Sequence, residues 1–103
     1  MGQRESRLSS NILVALRKRG AFCFKVHGNE HMMVGLPDIH GCYRGLYFAL
    51  ETKLPEKRSN TSLRQDYVMS QIKKADGEAH VVCSIDEALA LLDTLDKLYL
   101  GSD

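Results

Sequence analysis

One stretch of the sequence constrains the fold more than any other: LYFALETK, residues 46–53. Its first five residues are aliphatic or aromatic without a break, which is typical of a strand buried inside a sheet. Glu51 and Lys53 follow without a turn, so this strand ends in a carboxylate and an amine. Because alternate residues of a strand share a face, these two side chains lie side by side. The pattern predicts a buried strand whose end carries two reactive side chains, a carboxylate and an amine.

Hydrophobic periodicity, capping residues and glycines define the elements around this strand. The other predicted elements are helices over 6–19, 62–76 and 84–98 and strands over 21–27, 39–42 and 78–83. The order α-β-β-β-α-β-α predicts an α/β fold with a mixed central sheet flanked by helices. The helix between strands 46–53 and 78–83 allows that pair to run parallel. A length of 103 residues suits one domain, spanning 1–103.

The first predicted strand alternates Phe22, Phe24 and Val26 with smaller or polar residues, as a half-buried strand does. Three cysteines, an odd number, stand in apolar contexts, which predicts buried thiols in a reducing compartment rather than disulfides. No apolar run is long enough to span a membrane, and the polar N-terminus carries no visible secretory signal. These features predict an intracellular, cytoplasmic protein that does not associate with membranes.

Charge is distributed unevenly along the chain. Residues 1–75 carry thirteen Lys and Arg against six Asp and Glu, a balance of +7, whereas residues 76–103 have a balance of −6. The asymmetry indicates a polyanionic partner for the first part of the chain.

A second carboxylate, Asp38, follows Pro37 immediately before the next strand upstream. If this turn lies beside the end of strand 46–53, Asp38 and Glu51 together offer hard oxygen ligands, which suit Mg²⁺ or Mn²⁺ better than zinc. Lys53 could then orient an attacking water and offset developing negative charge. This arrangement is what metal-assisted hydrolysis requires.

Two polar residues lie on helix faces that are otherwise apolar. Glu5 shares the stripe of Ile12 and Leu16, and Gln65 shares the stripe of Val68 and the residues after it. Each could point at the proposed site, because buried polar groups need partners. Each also has a purely structural interpretation. Glu5 could stabilise the helix dipole at a first turn, and Gln65 could form a capping box with the serine three residues earlier.

The pieces GLPDI, ALETK, SLRQ and GEAHVVCSIDEA, preceded by a helix with Glu5, resemble the PD-(D/E)XK nuclease superfamily and its VRR-NUC branch. The resemblance covers roughly residues 3–92, although the VRR element itself is not evident and SLR stands near its usual place. It implies a restriction-endonuclease-like α-β-β-β-α-β core and a Mg²⁺- or Mn²⁺-dependent phosphodiesterase. The family's catalytic residues correspond to Asp38, Glu51, Lys53, Glu5 and Gln65. Its metal ligands correspond to Asp38, Glu51, Glu5 and the carbonyl of Thr52.

Stand-alone domains of this branch, mostly from phages, resemble Holliday-junction resolvases that act as homodimers. The resemblance therefore implies a structure-specific DNA endonuclease for four-way junctions, located in the host cytoplasm if a phage encodes it. Two alternatives stay open: a nuclease for flap, nicked or duplex DNA, and a non-cleaving nucleic-acid-binding module. Lys57, Arg58 and Arg64 flank the proposed site and are candidates for phosphate contacts. His27, His31, His40 and Cys42 form no recognised zinc-ligand spacing.

Overall fold

A computed structural model describes residues 2–27 and 32–101, so His31 lies outside the described residues. The helices are α1 (Gln3–Lys18), α2 (Leu63–Lys74) and α3 (Ile85–Gly101), and a 3₁₀ helix spans Pro55–Lys57. The strands are β1 (Phe22–Lys25), β2 (Ile39–Tyr43), β3 (Leu46–Thr52) and β4 (Glu78–Val82). None of these helices is both long and apolar enough to cross a lipid bilayer.

The four strands form one sheet in the order β1-β2-β3-β4. The β1–β2 and β2–β3 pairs are antiparallel, and β3 and β4 run parallel because α2 crosses over between them. Arg44 and Gly45 join β2 to β3, and both have positive φ (54° and 77°), as a type I′ hairpin turn requires. The predicted α/β class and mixed sheet are confirmed, and the element order is compatible with a restriction-endonuclease-like core followed by a further helix.

The hydrophobic core lies on one face of the sheet, under α1 and α3. Phe48 and Leu50 of β3 point into it and are fully buried, together with apolar residues of both helices. Alternation in β1 puts Cys23 in this core, so that strand is half-buried as predicted. Phe22 and Phe24 consequently point to the opposite face and are exposed.

The cysteines do not all follow the sequence-based prediction. Cys23 and Cys83 are buried, as predicted, but Cys42 is exposed, and for this residue the prediction was wrong. The physical reason is the strand alternation in β2, which places Cys42 on the face that α1 and α3 leave uncovered. Its sequence neighbours Gly41 and Tyr43 point to the core side of the sheet instead.

Helix α2 packs on the second face of the sheet, beside β4. It begins with the predicted capping box, in which Ser62 Oγ accepts from the backbone N–H of Gln65 at 3.0 Å. Gly35 has a φ of +89°, and a Cβ there would lie 2.8 Å from the backbone oxygen of Arg64. This close approach fixes the segment that precedes Asp38 against the first turn of α2.

Candidate active site

Asp38 lies in the turn between β1 and β2 and is held from both sides. Its carbonyl accepts a hydrogen bond from the backbone N–H of Val26 at 2.8 Å. Its side-chain Oδ1 accepts from the backbone N–H of Thr52 at 2.8 Å. The carboxyl group is buried, and its other oxygen, Oδ2, finds no hydrogen-bond donor among the described residues. A buried carboxylate oxygen without a partner is costly, so a cationic ligand at this position would stabilise it.

Glu51 lies opposite Asp38, because the antiparallel register that pairs Ile39 with Leu50 continues by one residue. Its side chain is 9% exposed, and Oε2 lies 3.7 Å from Nζ of Lys53. The predicted carboxylate–amine pair at the end of β3 therefore exists. The sequence pattern also placed Asp38 correctly, directly before the start of the neighbouring strand β2.

Burial and like charge together disfavour the ionised acids. Burial raises the pKa of Asp38 above its usual value. For Glu51, burial and then the charge of Asp38 raise the pKa to about 7, although the Lys53 ammonium opposes the shift. One lysine thus does not neutralise the pair. A divalent cation would supply the missing positive charge, so the donor set fits Mg²⁺ or Mn²⁺.

Gln65 reaches the same carboxylate from α2. Its Nε2 donates to Glu51 Oε2 at 3.2 Å, and its Oε1 accepts from the backbone N–H of Ser62 at 2.9 Å. The capping box is confirmed, and the same side chain also contacts Glu51, whereas a catalytic role of Gln65 stays a prediction. One amide has a donor end and an acceptor end, and each end serves one of these contacts.

Glu5 is half-buried in the first turn of α1, and its charge contributes to the raised pKa of Glu51. Within residues 2–27 and 32–101, no three His, Cys, Asp or Glu side chains form a group that could hold a metal ion. Asp38 and Glu51 therefore supply two carboxylates to a candidate cation site. The direct ligand roles of Glu5 and of the Thr52 carbonyl stay predictions.

The three basic residues proposed for phosphate contacts differ in their surroundings. Lys57 and Arg64 are exposed, and the Arg64 guanidinium lies 5.7 Å from the ring centre of Tyr67. Arg58 instead pairs with Glu87, whose other carboxylate oxygen accepts from the backbone N–H of Cys83 at 2.9 Å. Arg58 therefore supports the start of α3, which makes it the weakest candidate for DNA contact among the three.

Two residues near the site were missed by sequence reasoning. The charge of Lys25 lowers the pKa of Asp38, against the larger effect of burial. His40 is buried, and its Nε2 lies 2.8 Å from the carbonyl oxygen of Pro37, directly before Asp38. That carbonyl can only accept, so Nε2 donates and Nδ1 accepts from the hydroxyl of Tyr47. Only the strand pairing, which the sequence did not give, could have revealed these positions.

No protein-family model matches the chain, and no curated protein matches it significantly. The function proposed below therefore rests on the side chains and contacts of this chain and on the resemblance of its motifs.

Proposed function

We propose that this protein is a Mg²⁺- or Mn²⁺-dependent endonuclease that hydrolyses DNA phosphodiester bonds. One observation carries the proposal: Oδ2 of buried Asp38 has no hydrogen-bond partner among residues 2–27 and 32–101. It stands beside Glu51, whose carboxylate lies 3.7 Å from Nζ of Lys53. Two adjacent buried acids with a single lysine are costly for folding alone. They are useful where a cation and a phosphate have to be bound together.

Asp38 and Glu51 would hold the cation, with the Thr52 carbonyl and Glu5 as further candidates. When bound, Mg²⁺ or Mn²⁺ supplies Lewis-acid stabilisation of the negative charge that develops on the phosphate. Lys53 would orient the attacking water and offset charge at the reacting phosphate. Gln65 would restrain the Glu51 carboxylate, because its amide is itself fixed by Ser62.

Four-way junctions are the proposed substrate and a homodimer the proposed assembly, both on the resemblance to phage-type resolvases. Positive charge on residues 1–75 favours a nucleic acid as partner. The adjacent acids argue against a non-cleaving binding module, because bare carboxylates repel phosphates. A cytoplasmic location, in a host cell if a phage encodes the protein, is part of the same proposal.

The decisive experiment incubates labelled four-way junction, flap, nicked and linear duplex DNA with the protein and Mg²⁺, Mn²⁺ or EDTA. We expect metal-dependent cleavage that is fastest on the junction. Glu51→Gln should abolish cleavage, whereas Glu78→Gln, which changes an acid of β4 that pairs with His80, should retain it. Equal cleavage of all four DNAs would support a nuclease without junction preference. Binding without cleavage by either metal would contradict the proposal and favour a binding module.

A further inference from the structure

Four ring side chains form a continuous row across three strands. Ring centres are 6.0 Å apart for Phe22 and Phe24, 6.1 Å for Phe24 and His40, and 5.8 Å for His40 and Tyr47. Phe24 and His40 are nearly parallel, with 20° between their planes. We call these four residues the aromatic row. Phe22 is 71% exposed, and Phe24 and Tyr47 are each 44% exposed, so the row presents ring surface to solvent.

The aromatic row lies on the same face of the sheet as Glu51. The register pairs Phe24 with His40 and His40 with Ala49. Ala49 and Glu51 are two residues apart on β3, so their side chains share a face. The row therefore begins about two residues, or roughly 7 Å, from the carboxylates along the strands. Helix α2 covers the β4 side of this face and leaves β1 open.

The row is also held in a defined geometry. His40 is buried and uses both ring nitrogens, one on the carbonyl of Pro37 and the other on the hydroxyl of Tyr47. The orientation of the Tyr47 ring is thereby tied to the turn that carries Asp38. Exposed phenylalanines add little to folding, whereas a fixed, exposed apolar patch is typical of a binding surface.

We propose that the aromatic row is a stacking platform for nucleobases that are unpaired next to the cleavage point. A flap offers such bases directly, and a four-way junction offers them where base pairs open at its crossover. The proposal rests on the proposed nuclease function, because it assigns the row to the same DNA strand whose phosphate reaches the carboxylates. Aromatic side chains on an open sheet face stack unpaired bases in several nucleic-acid-binding folds.

Charge and position favour nucleic acid over protein as the occupant. The row is continuous with the candidate site, where Nζ of Lys53 lies 3.7 Å from the Glu51 carboxylate and offers a positive charge to a phosphate. The segment 1–75, which contains the whole row, carries a balance of +7. A polyanion with flat apolar bases complements both features.

The chain contains no tryptophan, so Phe22→Trp creates a single fluorescent reporter in the row. The variant is titrated in EDTA with a twelve-residue oligothymidylate and with an abasic strand of the same length. We expect the oligothymidylate to quench the fluorescence and the abasic strand to leave it unchanged. Val14→Trp is the matched control, because Val14 is 51% exposed on α1, at the other face of the sheet. Its fluorescence should respond to neither strand.

Affinity provides the second measurement. Stacking is worth about 1–3 kcal/mol per base, so the double variant Phe22→Ala, Phe24→Ala should bind oligothymidylate at least about tenfold more weakly at constant salt. Unchanged affinity, or equal quenching by the abasic strand, would overturn the proposal. A further contradicting result would be Phe22→Trp fluorescence that changes with protein concentration in the absence of DNA, because a second copy of the chain would then cover the row. Neither measurement involves cleavage. A negative nuclease assay therefore does not change the result expected for base stacking, and absence of stacking does not contradict the nuclease function.

Discussion

The side-chain nitrogen of Gln65 donates a hydrogen bond to Oε2 of Glu51 at 3.2 Å. The contact joins the first turn of α2 to the end of β3, two elements separated by an exposed connection. Because the oxygen of the same amide caps its own helix, the position of Glu51 depends on how α2 begins. The capping box is therefore part of the candidate site.

This dual role predicts a different pH dependence of stability for each of two substitutions of Gln65. Gln65→Ala removes both contacts and should cost about 1 kcal/mol at any pH, as the loss of a cap does. Gln65→Glu keeps the capping box but replaces the donor with a second carboxylate oxygen facing Glu51. Its melting temperature should fall by several degrees at pH 8 and little at pH 5, where Glu51 is protonated and can donate. Gln71→Glu on the exposed side of α2 is the control and should show no such pH dependence.

Lys53→Ala should abolish DNA cleavage while leaving DNA affinity within a few-fold of wild type. In the proposed mechanism the lysine acts at the attacking water and the reacting phosphate, whereas affinity would come mainly from other, salt-dependent phosphate contacts. Cleavage and fluorescence anisotropy on the same labelled junction measure the two effects. Lys73→Ala, on the exposed part of α2, should cleave normally. Full activity of Lys53→Ala would remove the lysine from the site.

Asp38→Asn should melt no lower than wild type without metal, since it removes one of two adjacent buried charges. Asparagine keeps the oxygen that accepts from Thr52. Wild type should gain stability with Mn²⁺, about 2.7 kcal/mol at a hundred times the dissociation constant. The variant should lose most of that gain. Thermal melts of both proteins with EDTA and with Mn²⁺ distinguish a metal ligand from a turn residue. If Mn²⁺ raises the melting temperature of both proteins equally, Asp38 is an ordinary turn residue.

The raised pKa of Glu51 predicts a defined pH dependence of stability in EDTA. Its stabilising contribution is fully present below the ordinary value of 4.5 and is lost as pH rises through about 7, because the folded state holds the proton more tightly. This shift corresponds to roughly 3 kcal/mol at 1.36 kcal/mol per pKa unit. The stability of Glu51→Gln relative to wild type should therefore increase as the pH rises from 4.5 to about 7.

Denaturant titrations of both proteins at pH 5 and pH 8 measure the effect. Burial lowers the pKa of His40, which makes stability rise with pH between the lowered value and the ordinary 6.5, the opposite sign. Both proteins contain His40, so its contribution cancels in the difference between them. If the difference in free energy of unfolding between wild type and Glu51→Gln does not change with pH, the raised pKa of Glu51 is contradicted.

The proposed resolvase should be a dimer in solution, because two symmetric cuts need two sites related by a two-fold axis. Light scattering with and without junction DNA measures the mass. A monomer under both conditions would count against junction resolution and leave metal-dependent cleavage intact.

Patterns local to one segment predicted most of the fold and the centre of the site. The apolar run before Glu51 identified β3, and Pro37 placed Asp38 next to a strand start. Strand periodicity then put Glu51 and Lys53 on one face, and their observed separation of 3.7 Å agrees. These features depend on neighbours within a few residues, which a sequence displays directly.

What the sequence did not reveal depends on pairing between segments. The exposure of Phe22 and Phe24 follows from which face of the sheet α1 and α3 cover, and alternation alone is symmetric between the two faces. The contact of His40 with Tyr47 likewise needs the β2–β3 register, and the effect of Lys25 on Asp38 needs the β1–β2 register. The resemblance named the candidate catalytic residues but carried no information about these neighbours.

The two-residue turn at Arg44 and Gly45 limits where the chain can accept insertions and deletions. It lies five strand residues from Asp38, about 17 Å away, yet together with the buried faces of both strands it sets which residue of β3 stands opposite that acid. One residue inserted there would slip the register and turn the side chains of β2 to the wrong face. The exposed connection 54–61 carries no such constraint. Related chains should therefore vary in length after β3 and keep a fixed count of residues between the two carboxylates.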